Sequence, residues 1–224
     1  MIRYLKVTKI FPNGARALQE VDLGFSEGEF AFVVGPSGAG KSTLLNLLIR
    51  QYRPTSGEVW FRDFNVSRLP GRKIHHLRRQ IGMVFQDFKL LSQFNVYENV
   101  AFTLEAVGKA QREIRELVPY ILELVGLADK MNRRPHQLSS GEAQRVSIAR
   151  AMVHEPAVLL ADEPTGNLDP QTGWQIIELL QKINSWGTTV IVATHNREIV
   201  DALNYRVVKL KEGKVVADQV GSYE

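Results

Sequence analysis

No cysteine occurs among the 224 residues, which excludes a disulfide scaffold and any metal site built on thiolates. Long apolar runs are missing too. The stretches 157–161 and 190–193 are far shorter than the about 20 residues that span a bilayer. Met1-Ile2-Arg3-Tyr4-Leu5 lacks the apolar core of a secretory signal, so a cytoplasmic chain is expected. Aromatic residues amount to 8%, and no series of them interleaves with the basic run 62–79 to stack bases. That run, with Arg62, Arg68, Arg72, Lys73, Arg78 and Arg79 against Asp63, therefore reads as a solvated face. Direct nucleic-acid binding is not expected despite the formal net charge of +4. His75, His76, His136 and His154 show no metal-ligand grouping, and Trp60, Trp174 and Trp186 read as packing residues.

What is present centres on Gly35-Pro36-Ser37-Gly38-Ala39-Gly40-Lys41-Ser42, a full match to G-x-x-x-x-G-K-[ST]. The run 30–34 before it reads as a buried strand, and Thr43 opens an apolar helical run to Ile49. In that setting the glycines let backbone N–H groups face phosphate oxygens, and the helix N-terminus adds a partial positive charge. Lys41 reaches the terminal phosphates, and Ser42 is placed to hold Mg²⁺.

Around this loop the pattern is mixed α/β. Residues 2–10 and 17–25 read as a hairpin turning at Pro12-Asn13-Gly14, 58–61 as a short strand, and 81–85 as a buried strand ending at Gln86. Asn95 with Glu98 forms a capping pattern at the start of one helix, and 111–125 forms a second amphipathic helix closed by Gly126. Residues 87–154 thus read as a helical insert, in which some of Phe88, Leu90, Leu91, Phe94 and Val96 are candidates for a groove facing a partner helix. The α/β pattern resumes at 157–161, a continuous apolar run suited to a sheet covered on both faces. A helix over 171–184, a strand over 189–193 ending at His195, and a hairpin over 206–217 follow.

Polar groups gather where these strands end, the place where open α/β sheets bind ligands. Asp162 is placed to orient Mg²⁺ with Ser42, and Glu163 to polarise a water, although paired acids also occur as solvated strand ends. Leu138-Ser139-Ser140-Gly141-Glu142 reads by itself as a capping box.

The ordered series of phosphate loop, Gln86, 138–142, Leu159-Leu160-Ala161-Asp162-Glu163, Asn167-Leu168-Asp169 and His195 resembles the motif set of the ATP-binding cassette (ABC) ATPases, over essentially the whole chain. The resemblance implies an α/β, P-loop NTPase core with a mainly parallel sheet, an N-terminal antiparallel β subdomain and an inserted helical subdomain. It implies one nucleotide-binding domain over 1–224, with a core of 1–86 and 155–224 and a helical part of 87–154. By the same resemblance Phe11 stacks on adenine, Gly35 to Thr43 hold ATP, and Ser42, Gln86 and Asp162 hold Mg²⁺. Glu163 is the general base, with Lys41, Gln86 and His195 as its catalytic companions. Ser139, Ser140, Gly141 and Glu142 then close over the ATP of a second copy, with Asp169 at the seam. Two residues depart from the usual pattern, since Ser140 stands where a second glycine is common and Glu142 where glutamine is common.

The segments 77–87, 96–100 and 160–169 are further similar to the FtsE family of bacterial cell-division ATPases. That likeness implies a peripheral protein on the cytoplasmic side of the plasma membrane. Its partner there would be an integral membrane protein resembling FtsX, through which peptidoglycan hydrolases are activated. Lipoprotein-release and macrolide-export ATPases share the same segments and form the alternative.

Overall fold

The computed structural model describes residues 1–223. Strands β1 (Ile2–Ile10) and β2 (Arg16–Phe25) form the expected hairpin, and β4 (Ser56–Phe61) with the short β5 (Phe64–Asn65) completes an antiparallel sheet in the order β2-β1-β4-β5. A second sheet runs β10-β9-β3-β8-β7-β6, built from β3 (Phe30–Val34), β6 (Ile81–Val84), β7 (Val158–Asp162), β8 (Thr189–Thr194), β9 (Arg206–Lys211) and β10 (Lys214–Val220). It is parallel from β9 through β6, and only β10 runs antiparallel.

The alternation of strand side chains builds two cores, one on each face of this sheet. Phe30, Phe32 and Val34 of β3, Leu159 and Ala161 of β7, and Val190 and Val192 of β8 enter one cluster. Their neighbours Ala31, Val33, Val158, Leu160, Ile191 and Ala193 enter the other. The first cluster is covered by α3 (Val96–Val107), α4 (Gln111–Leu124), α5 (Ser140–Met152), α6 (Pro170–Ser185) and α7 (Arg197–Ala202). The second is covered by α1 (Lys41–Leu48), the antiparallel sheet and α2 (Ile74–Arg78).

Asn95 caps α3 with Glu98 in a reciprocal box, as its spacing predicts. Three elements, β5, α2 and α7, go beyond the sequence reading. Two of them lie in the basic run 62–79, whose cations Arg62, Arg68, Arg72, Lys73, Arg78 and Arg79 are all exposed as a solvated face requires, while Val66, Leu69 and Leu77 between them are buried. Arg78 donates to the Ile49 carbonyl at 3.0 Å beyond the C-terminus of α1, and Arg62 pairs with Glu27 at 2.6 Å. The candidate groove residues also divide. Val96 is 1% exposed and belongs to the core, because α3 turns it inward beside Val100. Leu90 packs against the same cluster.

Candidate functional site

The parallel register of β3, β8, β7 and β6 brings their carboxyl ends to one edge, and the polar residues that follow each strand meet there. They line a cleft of about 510 Å³ formed by Pro36 to Thr43 together with Gln86, Glu163 and His195. Two glycines make the loop possible. Gly35 has φ +148° and a Cβ there would lie 2.2 Å from the Leu210 carbonyl oxygen, while at Gly40, φ +107°, it would lie 2.3 Å from that of Ala17. The loop therefore packs directly against backbone on both sides.

Lys41 is 6% exposed, and its Nζ donates to the carbonyls of Gly35 (2.8 Å) and Pro36 (3.2 Å). It also lies 3.3 Å from Glu163 Oε1. The same Oε1 is 2.9 Å from His195 Nδ1, and the other carboxylate oxygen accepts from the His195 backbone N–H at 3.3 Å. Glu163 itself sits at φ 47°, a left-handed conformation that a side-chain-bearing residue adopts only when its surroundings impose it. Its N–H donates to the Ala193 carbonyl at 2.8 Å, which fixes the turn out of β7 against β8.

Ser42 Oγ donates to Asp162 Oδ1 at 2.9 Å. Burial pushes the Asp162 carboxyl above the usual carboxylate range, and the adjacent Glu163 adds to this against the opposing Ser42 bond and Lys41 charge. Among the described residues no three acidic or histidine side chains cluster into a metal cage. A hydroxyl and one carboxylate beside a phosphate cradle are instead the hard-oxygen set that Mg²⁺ takes when phosphates complete its shell. The donors present therefore fit Mg²⁺.

The predicted residues do not all converge. Phe11 does not line the cleft; its ring stands edge-on to Tyr52 at 5.3 Å, with Lys9 Nζ 5.1 Å from its centre. None of Ser139, Ser140, Gly141 and Glu142 lines it either. Ser139 caps α5, its Oγ accepting from Glu142 N–H at 3.3 Å while Glu142 Oε2 accepts from Ser139 N–H at 2.8 Å. Glu142 also forms an ion pair with Lys130, which holds the Glu142 carboxyl below its ordinary range and raises the Lys130 ammonium. Asp169 caps α6 and accepts from Thr172 N–H at 3.0 Å, and hydrogen bonding from the Thr172 side chain and then its backbone holds the Asp169 carboxyl below its ordinary range. These two helix starts adjoin, since a Cβ on Gly141 would lie 2.4 Å from Thr172 Cγ2.

Two lining residues lie outside every motif, Ala17 and Tyr223. Tyr223 reaches the cleft through tertiary contacts, its N–H bonded to Asp201 at 2.8 Å and its ring under Arg197. No local pattern announces such an approach.

The ABC transporter family model matches residues 18–166. The cell division ATP-binding protein FtsE of Mycobacterium tuberculosis is 53% identical over 98% of this chain and 96% of its own length. Those of Bacillus subtilis and Escherichia coli are 46% and 48% identical, over 100% and 95% of this chain and 100% and 96% of theirs. Among solved structures, the dimeric post-hydrolysis state of the ATP-binding cassette MJ0796 bound to ADP and Pi superimposes with a TM-score of 0.90 at 37% identity, over 98% of both chains. The phosphate loop and strand-end acids therefore belong to an ATP-hydrolysing cassette: the chain is a member of the ABC ATPase family and, within it, of the FtsE cell-division ATP-binding proteins.

Proposed function

We propose that this ATPase acts as a homodimer on the cytoplasmic face of the plasma membrane, as the nucleotide-hydrolysing subunit of a complex with an FtsX-type integral membrane protein. In that complex, ATP-driven closure activates peptidoglycan hydrolysis during cell division. The observation that carries the two-chain reading is a division within one chain. Lys41, Glu163 and His195 share the phosphate cleft, whereas Ser139 and Ser140 are exposed and line no part of it.

In this reading Gly35 to Thr43 bind the triphosphate, with Lys41 at the terminal phosphates and Phe11 on the adenine. Gln86 reaches the attacking water, His195 contacts the γ-phosphate, and a Glu163 carboxylate oxygen takes the water's proton as ATP becomes ADP and phosphate. Mg²⁺ held by Ser42, Asp162 and Gln86 would neutralise charge on the phosphoryl oxygens. The start of α5 in the second copy completes the site, with Asp169 at the seam. ATP then makes contacts in the closed dimer that the open one lacks, which is what allows binding to shift the equilibrium. The core, 1–86 and 155–224, carries the nucleotide, and 87–154 carries the motion.

Our candidate seat for the partner's cytoplasmic helix is a groove of about 500 Å³ between α2 and α3. Phe102, 46% exposed, forms its apolar wall with Ala106 and Val107, and Arg78 and Arg79 form a basic rim. The test is co-purification with the co-expressed FtsX-type protein in detergent. Phe102→Glu is expected to abolish the complex and leave the ATPase of the isolated chain unchanged. Stable association instead with a lipoprotein-release permease, and none with the FtsX type, would overturn the cell-division reading.

A further inference from the structure

The turn after Gln86 is held in a conformation its residues do not favour. Phe88 and Lys89 have φ of 58° and 49°, two successive side-chain-bearing residues in the left-handed region. One side chain takes both of their carbonyls. Arg150 donates from Nη2 to Phe88 O at 2.7 Å and from Nη1 to Lys89 O at 2.5 Å. A guanidinium presents its N–H groups in a rigid planar fork, so it fixes the relative direction of the two carbonyls and with them the turn.

The anchor of that fork has little freedom. Arg150 lies in the last turn of α5, and the carbonyl of its neighbour Ala151 is pressed onto β6, where a Cβ on Gly82 would stand 2.4 Å away. The strand that leads to Gln86 and the helix that carries Arg150 are thus in backbone contact. On the other side the Gln86 carbonyl accepts from Asn167 Nδ2 at 3.0 Å, and beyond the turn the buried Asn99 carboxamide bonds the backbone at Leu91, Phe94 and Asn95. Backbone bonds from Phe88 N–H to the Phe85 carbonyl and from Lys89 N–H to that of Asp87 close the turn locally, and Arg150 is the side chain that holds its strained point from outside.

We propose that Arg150 is a positioning residue for Gln86, clamping the Phe88–Lys89 turn so that the Gln86 side chain keeps its place in the nucleotide cleft. Arg150 does not itself line that cleft. The inference rests on the reading of Gln86 as part of the hydrolytic site.

A double-mutant cycle on the full chain tests it, with kcat and KM for ATP measured for Arg150→Gln, Gln86→Ala and the pair. Misplacement of a positioned group costs up to about 100-fold in rate. Arg150→Gln is therefore expected to lower kcat about 10- to 100-fold with KM changed less than about twofold, and to add no further loss in the Gln86→Ala background. Arg150→Lys, which keeps the cation without the fork, is expected to recover part of the rate, and it carries the test if Arg150→Gln does not fold. An equal loss from the arginine change in both backgrounds would show a general structural role and overturn the inference. So would an unchanged kcat in Arg150→Gln while Gln86→Ala is impaired. If Gln86→Ala alone leaves kcat unchanged, the reading of the site falls, and the inference falls with it.

Discussion

Glu163 Oε1 lies 2.9 Å from His195 Nδ1 and 3.3 Å from Lys41 Nζ, so one carboxylate oxygen joins the residue after β8 to the lysine of the phosphate loop. The two partners come from separate strand ends, and only the parallel register of the sheet makes them neighbours.

Because Glu163 is 9% exposed and oriented by both partners, its replacement removes the base without opening the cleft. Glu163→Gln is expected to lower ATP hydrolysis about 10²- to 10⁴-fold while nucleotide binding is kept. Phosphate release and binding of a fluorescent ATP analogue measure the two effects separately. Hydrolysis at the parental rate would remove Glu163 from the chemistry.

Lys41 bears on affinity instead. A charge-assisted hydrogen bond contributes about 1.5–3 kcal/mol, so Lys41→Ala should weaken ATP binding by about 10- to 100-fold. Equilibrium binding at fixed Mg²⁺ checks this, and an unchanged Kd would contradict it.

Glu142 places a negative charge at the helix start that is proposed to face a second nucleotide, and Lys130 neutralises it. Lys130→Met should weaken ATP-dependent dimerisation by about twofold to fivefold, the scale of a partly exposed ion pair. Adding Glu142→Gln should restore it, as sedimentation would reveal. Failure of the second change to restore dimerisation would show that Lys130 acts otherwise.

His154 supplies a pH dependence of stability. Both of its ring nitrogens are buried without a hydrogen-bond partner, and burial lowers its pKa. His75, Arg78 and Arg79 face it across one groove and Lys109, Glu113, Glu116 and Glu155 across another. A base whose pKa is lowered on folding binds fewer protons folded than unfolded. Stability is therefore lost as pH falls below the unfolded value of about 6.5, with a slope of at most about 1.4 kcal/mol per pH unit, until the folded value is passed. Thermal melts should show this loss in the parent chain and a flatter profile in His154→Phe.

Gly82→Ala tests the packing under the cleft. The added methyl would meet the Ala151 carbonyl oxygen at 2.4 Å, and neither backbone yields easily. Overpacking of this kind costs about 1–3 kcal/mol, readable in urea unfolding as a lower midpoint at constant slope.

Much of this arrangement is legible in the sequence because its signals are local. The phosphate loop is a contiguous pattern, the Asn95 and Ser139 caps are three-residue spacings, and β7 and β8 are unbroken apolar runs. What escapes is set by contacts between distant segments. Arg78 closes α1 from another element, Val96 is turned into the core by the helix it begins, and Tyr223 arrives at the cleft from the far end of the chain.

The central claim is that the start of α5 in one copy completes the phosphate site of another. It is tested most directly by the solution mass of Glu163→Gln with Mg²⁺ and ATP, measured with and without Ser140→Arg. The account predicts a species of twice the 25.3 kDa chain mass that reverts to monomer when the arginine is introduced. A monomer under both conditions, or a dimer indifferent to Ser140→Arg, would contradict it.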